Sequence, residues 1–315
     1  MKKFIVSILL LLSIILFSNN AVTFAKEKTL NLNVDAYSDD FPDAKLDKKL
    51  YDVSDLTFYY KNNILMTKEK TAKSIKILSI IKNDPALLKD FKDNFEKGGE
   101  LIAIGEVTAF VNEEYHDKKV ASSQLMNTVE VAAFTSKSTS ATNSARTLTL
   151  KLTVWDYSSS TRARYIVASF ADWKSHSIAG SSTNYPAIGV DYLGIYWGGG
   201  FDFIGNGISV TPSIPGSTLY SGLSDVQANT AVVYQFNELM SGGSIYNYAK
   251  TVTVGTELVN PFVGNGKTTS ISTKYIHTYS SLQGSISISL APPSFSLSGF
   301  SNQWNIAVVI SGIPY

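Results

Sequence analysis

Apolar and polar residues alternate with a period of two along much of the second half of the chain. The clearest case is residues 147–155, where Leu148, Leu150, Leu152 and Val154 are separated by threonines and a lysine. Successive side chains of a β-strand point to opposite faces, so this pattern predicts a strand with one face in a core and the other in solvent. Further strands are predicted at 129–134, 164–170, 189–196, 201–204, 207–210, 232–236, 250–254, 270–279, 285–290, 294–300 and 303–310.

The segments between these strands are short and rich in Gly, Pro, Asn and Ser. Spaced short strands with such connections are typical of an antiparallel β-sandwich. Two of the connections, 203–207 and 262–266, contain similar pentapeptides that end in Gly-Asn-Gly. Asn-Gly adopts the positive φ angles of a tight turn, so both pentapeptides are interpreted as hairpin turns.

The first half of the chain has a helical period instead. Residues 70–82 place Ile75, Leu78 and Ile81 on one stripe, which predicts a helix that begins near Thr67.

A second helix is predicted to begin at Asp84-Pro85 and to end at Gly98-Gly99. Asp is a favoured N-cap and Pro a favoured first helical residue, while glycine commonly follows a helix.

A short hairpin is predicted at 56–60 and 64–66, before the helices, and a strand at 101–111 after them. The segment before the hairpin, 26–54, is interpreted as an acidic extended lead-in. The predicted fold class is therefore α+β overall, with a small helical N-terminal lobe followed by a mainly antiparallel β-sandwich.

Composition divides the chain near residue 120. Residues 26–120 hold 16 Lys and 18 Asp or Glu, whereas residues 121–315 hold 9 Lys or Arg and 8 Asp or Glu. We therefore predict a charged N-terminal lobe or propeptide at 26–120 and a Ser/Thr/Gly/aromatic-rich β-sandwich domain at 121–315. The pair Lys118-Lys119 is a candidate processing site for the propeptide alternative.

Residues 1–25 have the pattern of a secretory signal peptide. Lys2 and Lys3 precede an apolar run at 4–17, and we predict cleavage after Ala25. The chain has no cysteine, so neither disulfides nor thiol chemistry contribute. A secreted, extracellular protein is expected.

Charge and residue types narrow the chemistry further. The formal net charge of +1 gives no basic excess of the kind that nucleic acid selects, so a nucleic-acid partner is not expected. The three histidines, His116, His176 and His277, show no metal-ligand spacing. We assign no catalytic residue, metal site or cofactor from the sequence.

An aromatic and glycine-rich stretch supplies the first functional hypothesis. Tyr192, Tyr196, Trp197 and Phe201 form the candidate contact patch of a non-enzymatic protein that binds a surface, a glycan or a protein partner. A cell-surface glycan, a protein or a membrane are the possible partners.

Two alternatives remain open. Ser and aliphatic residues alternate at 285–290, as in a strand with one face to lipid and the other to water. This pattern, with the low charge and abundant Ser and Thr, resembles the general composition of β-rich pore-forming toxins of secreting bacteria, and implies a membrane-active pore-forming or antimicrobial protein. The third hypothesis is an extracellular hydrolase with a carboxylate pair, for which Asp191 and Asp202 are the candidates.

Overall fold

The structure is a computed structural model of the 315-residue chain. It describes residues 30–37, 46–111, 146–173, 190–227, 229–237, 239–242, 245–263, 266–278, 285–290, 293–298 and 303–315.

Seventeen strands and two helices make up these residues. In chain order they are β1 (Asn33–Tyr37), β2 (Leu46–Asp52), β3 (Phe58–Lys61), β4 (Ile64–Thr67), α1 (Ala72–Asn83), α2 (Pro85–Phe95), β5 (Glu100–Val111), β6 (Arg146–Asp156), β7 (Ala163–Trp173), β8 (Val190–Trp197), β9 (Asp202–Pro212), β10 (Ser221–Gln227), β11 (Ala231–Asn237), β12 (Leu239–Gly242), β13 (Ile245–Asn260), β14 (Thr268–Thr278), β15 (Ser285–Leu290), β16 (Pro293–Ser298) and β17 (Gln303–Pro314).

The strands form two large antiparallel sheets and two small ones. Sheet I has six strands in the order β1-β17-β14-β8-β11-β10, and sheet II has seven, in the order β12-β13-β7-β6-β5-β2 with β9 also paired to β13. Strands β3 and β4 form one two-stranded sheet, and β15 and β16 form another. The main core lies between sheets I and II and is filled by residues such as Leu150, Val254 and Ile310. The predicted antiparallel sandwich is confirmed at this level.

The helices do not form a lobe separate from the sandwich, which differs from the prediction. In sheet II, β5 pairs with β2 on one side and with β6 on the other. In sheet I, β1 pairs with β17. Strands from both sides of residue 120 therefore share both sheets, and the two helices pack on the outer face of sheet II.

Both helices begin at side chains that satisfy the first backbone N–H groups. Thr71 and Ser74 form a reciprocal capping box at α1, in place of the predicted start near Thr67. Thr67 instead pairs with Phe58 at the end of β4. At α2 the prediction is confirmed, because Asp84 accepts hydrogen bonds from the two backbone N–H groups that follow Pro85.

Strand β6 is buried on both faces, although its alternating pattern predicts one solvent face. Thr149, Lys151 and Thr153 point away from the main core, yet they are only 2%, 6% and 1% exposed. Asp84, the N-cap of α2, forms an ion pair with Lys151, and Asp90 of α2 accepts a 3.0 Å hydrogen bond from Thr153. The Thr149 hydroxyl instead lies 3.2 Å from that of Thr108 on β5. Polar pairing across this layer is what allows a polar strand face to be buried.

Strand β9 is continuous where two short strands with a turn are predicted. Gly205 and Gly207 lie within β9 and pair with Glu257 and Gly255 of β13. Because β13 offers backbone partners along its length, the Asn-Gly step at 206–207 remains extended instead of reversing the chain.

Several expectations lie outside the described residues. They are the signal peptide at 1–25, the strand at 129–134, the Lys118-Lys119 site and the boundary at residue 120. These stay predictions.

Asp90 provides a test of how the helices are held on the sheet. Burial raises the pKa of its carboxyl to about 6 from the ordinary 3.8, while hydrogen bonds from Trp155 and Thr153 act in the opposite direction. The folded state therefore favours the protonated form, so this stabilisation is fully present below pH of about 4 and is lost as the pH rises through about 6.

We expect the free energy of unfolding to increase when the pH falls from 7.5 to 5, and this increase to be smaller in Asp90→Asn. The rise of the Asp90 pKa from 3.8 to about 6 corresponds to roughly 3 kcal/mol over the whole titration. Because pH 5 lies only about one unit below the raised pKa, the expected change between pH 7.5 and 5 is about 1–1.5 kcal/mol. Urea denaturation at both pH values measures it. Asp55→Asn, which alters an exposed carboxylate paired with Lys73 of α1, is the matched control, and an equal pH effect in Asp90→Asn and wild type would refute the assignment.

Candidate functional site

The β15–β16 hairpin is the part of the fold least integrated into the two large sheets. Among the described residues its strands pair only with each other, and no backbone hydrogen-bond ladder there joins the hairpin to sheet I or sheet II. Within the described residues it is held on the outer face of sheet I through side chains. One polar contact adds to them, a 3.1 Å hydrogen bond from the Gln303 side chain to the Leu297 carbonyl oxygen.

The two faces of the hairpin differ completely in chemistry. The register pairs serine with serine and apolar residue with apolar residue in alternation, because both strands have the same period of two. Ser285, Ser287, Ser289, Ser294, Ser296 and Ser298 share one face, and Ile286, Ile288, Phe295 and Leu297 share the other. The hairpin is therefore an amphipathic two-stranded sheet.

The apolar face of the hairpin covers a matching apolar area of sheet I. We call this area the hairpin-covered face; it comprises Tyr192 and Tyr196 of β8, Ala231 and Val233 of β11, and Ile276 of β14. These five side chains are at most 3% exposed. They pack against Phe295 and Leu297 of β16, with Ile286 and Ile288 of β15 at the margin.

Phe295 is the anchor of this contact. Its side chain is fully buried, and its ring centroid lies 6.1 Å from that of Tyr196 in an edge-to-face arrangement. The ring also lies over Gly194, where an added Cβ would be only 2.7 Å from the ring. A glycine in the middle of β8 thus leaves the space into which the hairpin anchor fits.

The predicted contact patch is divided between two faces of sheet I. Tyr192 and Tyr196 lie on the hairpin-covered face, whereas Trp197 and Phe201 lie in the core between the sheets. The indole Nε1 of Trp197 donates a 2.7 Å hydrogen bond to the carbonyl oxygen of Phe201. All four side chains are at most 3% exposed, so a ligand-binding role for them stays a prediction without an exposed surface to support it.

A buried polar cluster fixes the strand end from which the chain continues to the hairpin. Asp191 of β8 accepts hydrogen bonds from the Tyr275 hydroxyl, from Thr278 N at 3.0 Å, and lies 3.1 Å from His277 Nδ1. The Thr278 hydroxyl in turn donates to the carbonyl oxygen of Val190 at 2.9 Å. The end of β14 is thereby attached to the beginning of β8.

This cluster does not resemble an accessible hydrolytic site. His277 is 2% exposed and Asp191 is fully buried. Asp191 is the second residue of β8, and Asp202 begins β9 beyond the other end of β8. The length of β8 alone therefore separates them by roughly 20 Å at about 3.3 Å per residue. The two carboxyl groups of a glycoside hydrolase lie within about 10 Å of each other, so the predicted carboxylate pair is not formed.

Other candidate chemistry is limited in the part of the chain that the structure covers. No three histidine, aspartate or glutamate side chains there are grouped as metal ligands, and no helix among those residues is long and apolar enough to cross a membrane. His116 and His176 lie outside the described residues.

Comparisons with known proteins give little further guidance. No protein-family model matches the chain, and no curated protein gives a significant match. Among solved structures, the Clostridium perfringens NetB toxin in its membrane-inserted form overlaps 42% of this chain and 78% of the toxin chain, with a TM-score of 0.23 and 9% sequence identity. At that TM-score the likeness establishes neither a shared fold nor a shared function.

The anchor role of Phe295 can be measured directly. In Phe295→Ala we expect backbone amides of the hairpin to exchange with deuterium about tenfold faster or more, because truncation of a buried Phe removes packing and leaves a cavity. Hydrogen exchange read by mass spectrometry should show the change in peptides covering 285–298 and not in β6.

Ser296→Ala, on the exposed face of β16, is the matched control and should exchange like the wild type. Uniformly faster exchange across both large sheets in Phe295→Ala would mean that the hairpin does not open independently of the sandwich.

Proposed function

We propose that this is a membrane-active protein, and that the β15–β16 hairpin leaves the sandwich and inserts into a lipid bilayer as a strand pair. The observation that supports this most is the amphipathic hairpin itself, which has its own two-stranded ladder and, within the part of the chain that the structure describes, shares none with the two large sheets. Among the functions that the sequence leaves open, membrane insertion is the one that uses the β15–β16 hairpin, which can detach without breaking a strand pairing of either large sheet.

Detachment of the hairpin would leave the backbone hydrogen bonds of both large sheets intact. What it exposes is the apolar contact around Phe295 and the hairpin-covered face. A bilayer supplies a new apolar environment for Ile286, Ile288, Phe295 and Leu297, which compensates the lost packing on the hairpin side.

The two faces of the hairpin match the two environments of a membrane barrel strand. In such barrels apolar side chains face lipid and polar side chains face the water-filled interior. The apolar row led by Ile286 and Ile288 suits lipid, and the serine row suits water without placing a charge in the bilayer.

The length of the hairpin strands and the number of strands in a closed barrel determine how many copies of the protein insertion would need. Six residues per described strand are fewer than the 9–11 or so that cross a bilayer. In the sequence the alternation of apolar and polar residues continues toward the N terminus through Gly284 and Leu282, so the stretch with this pattern, 282–290, has the length of a membrane-crossing strand. A closed barrel needs about eight strands or more, so at least four copies would each contribute one hairpin.

The expected extracellular localisation is compatible with a membrane-active function. The signal-like leader at 1–25 would export the chain, and the absence of cysteine makes folding independent of the redox environment outside the cell.

We further propose that the region 26–120 is a permanent part of the protein rather than a propeptide. The position of β5 between β2 and β6 supports this, because removal of β5 would leave the edge of β6 unpaired.

Single-cysteine labelling tests the insertion of the hairpin, and the cysteine-free chain makes each label unique. Ile286→Cys, Ser287→Cys and Ile288→Cys carry a polarity-sensitive fluorophore, and vesicles contain lipids with a quencher on the acyl chain. We expect lipid quenching at 286 and 288 but not at 287, together with release of a trapped dye from the vesicles.

Ile75→Cys, on the exposed face of α1 with 59% of the side chain accessible, is the control for non-specific adsorption and should not be quenched. Absence of quenching at all three hairpin positions, or equal quenching at 287 and 288, would contradict insertion as an amphipathic strand.

A further inference from the structure

We infer that the hairpin-covered face of sheet I becomes the contact between neighbouring copies of this chain once the hairpin has left. This inference rests on the proposed function and deepens it, because it names the surface through which the copies assemble and the partner that covers it.

The residues of this face have the composition of an interface core. Tyr192 and Tyr196 provide two aromatic side chains, and Ala231, Val233 and Ile276 provide the aliphatic surface between them. The cores of protein interfaces are enriched in aromatic residues and depleted of charge, and this set contains no charged side chain.

The same face cannot remain bare after the hairpin leaves. Its five side chains lie in a cluster that is completed mainly by hairpin residues, with Val190 of β8 as a further neighbour. Departure of the hairpin would expose them as one contiguous apolar patch, and such patches on soluble parts of proteins associate with another surface.

The geometry of a barrel makes a second copy the nearest such surface. Adjacent strands in a barrel are about 4.8 Å apart, so two strands per copy place neighbouring hairpins roughly 10 Å apart. Two packed sheets alone are about 10 Å apart from backbone to backbone, and the helices add a further layer outside sheet II. Bodies attached to adjacent hairpins are therefore held against one another, at a very high local concentration.

The contact is expected to be heterologous, so that the face of one copy meets a different surface of the next. Head-to-tail contacts of this kind generate closed rings when the rotation closes. The stored hairpin then has a second role, because it blocks association in solution by occupying the surface that the next copy would use.

Photo-crosslinking from two adjacent residues of β11 tests the inference. A diazirine analogue of leucine at Val233 reports on the hairpin-covered face, and the same analogue at Val232 reports on the core between the sheets. Both valines are fully buried, so the two probes are matched in residue type, strand and burial. A probe at Ile276 provides a second position should the one at Val233 disturb folding.

In solution the probe at Val233 should crosslink within the chain to residues 285–298. On vesicles it should yield a product of two copies, whereas the probe at Val232 should crosslink within the chain in both states. The position of each crosslink is read by peptide mass spectrometry.

The quenching assay at Ile286 and Ser287 separates the possible failures. If the hairpin inserts but the probe at Val233 reacts with lipid or stays within its own chain, the inference is wrong and the proposed function stands. If the hairpin does not insert and the probe still reacts with residues 285–298 on vesicles, both are wrong.

Discussion

The structure depends on one constraint, which is that the central strands of each large sheet are buried on both of their faces. Packing the sheets together satisfies only the inner faces. Helix α2 and its partner α1 cover the outer face of sheet II around Trp155 and Phe170, and the β15–β16 hairpin covers the outer face of sheet I around Phe295. The two covers differ in kind: the helices are joined to the sheet by buried polar contacts through Asp84 and Asp90, whereas the hairpin is held mainly by apolar packing.

The parts of the fold that follow from local pattern are predictable from the sequence. Period-two alternation identifies β6 and β15, and the Asp84-Pro85 cap identifies the start of α2. Strand β1 is missed because its charge suggests a solvated lead-in, although Val34 and Ala36 alternate with polar residues and pack on the core. The burial of Lys151 could not be predicted locally, because it depends on a helix 67 residues away in the chain.

For the candidate site, too, only local features are predictable from the sequence. The amphipathic character of β15 is visible in its sequence, whereas the place where it packs, and the separation of Tyr192 and Tyr196 from Trp197, follow only from tertiary structure. One local signal could have indicated the site: Gly194 interrupts a run of large residues in β8, and a glycine within a strand often marks the close approach of another group. Here that group is the ring of Phe295.

Membrane insertion requires the hairpin to move away from sheet I when the protein binds a membrane. Pulsed dipolar electron paramagnetic resonance measures this movement, with spin labels at Ser287→Cys on β15 and Leu223→Cys on the neighbouring β10, whose side chain is 50% exposed. We expect one short distance between the two labels in solution and an increase of some tens of ångströms in vesicle-bound protein, because the inserted hairpin enters a bilayer core about 30 Å thick. The same short distance in vesicle-bound protein would contradict it.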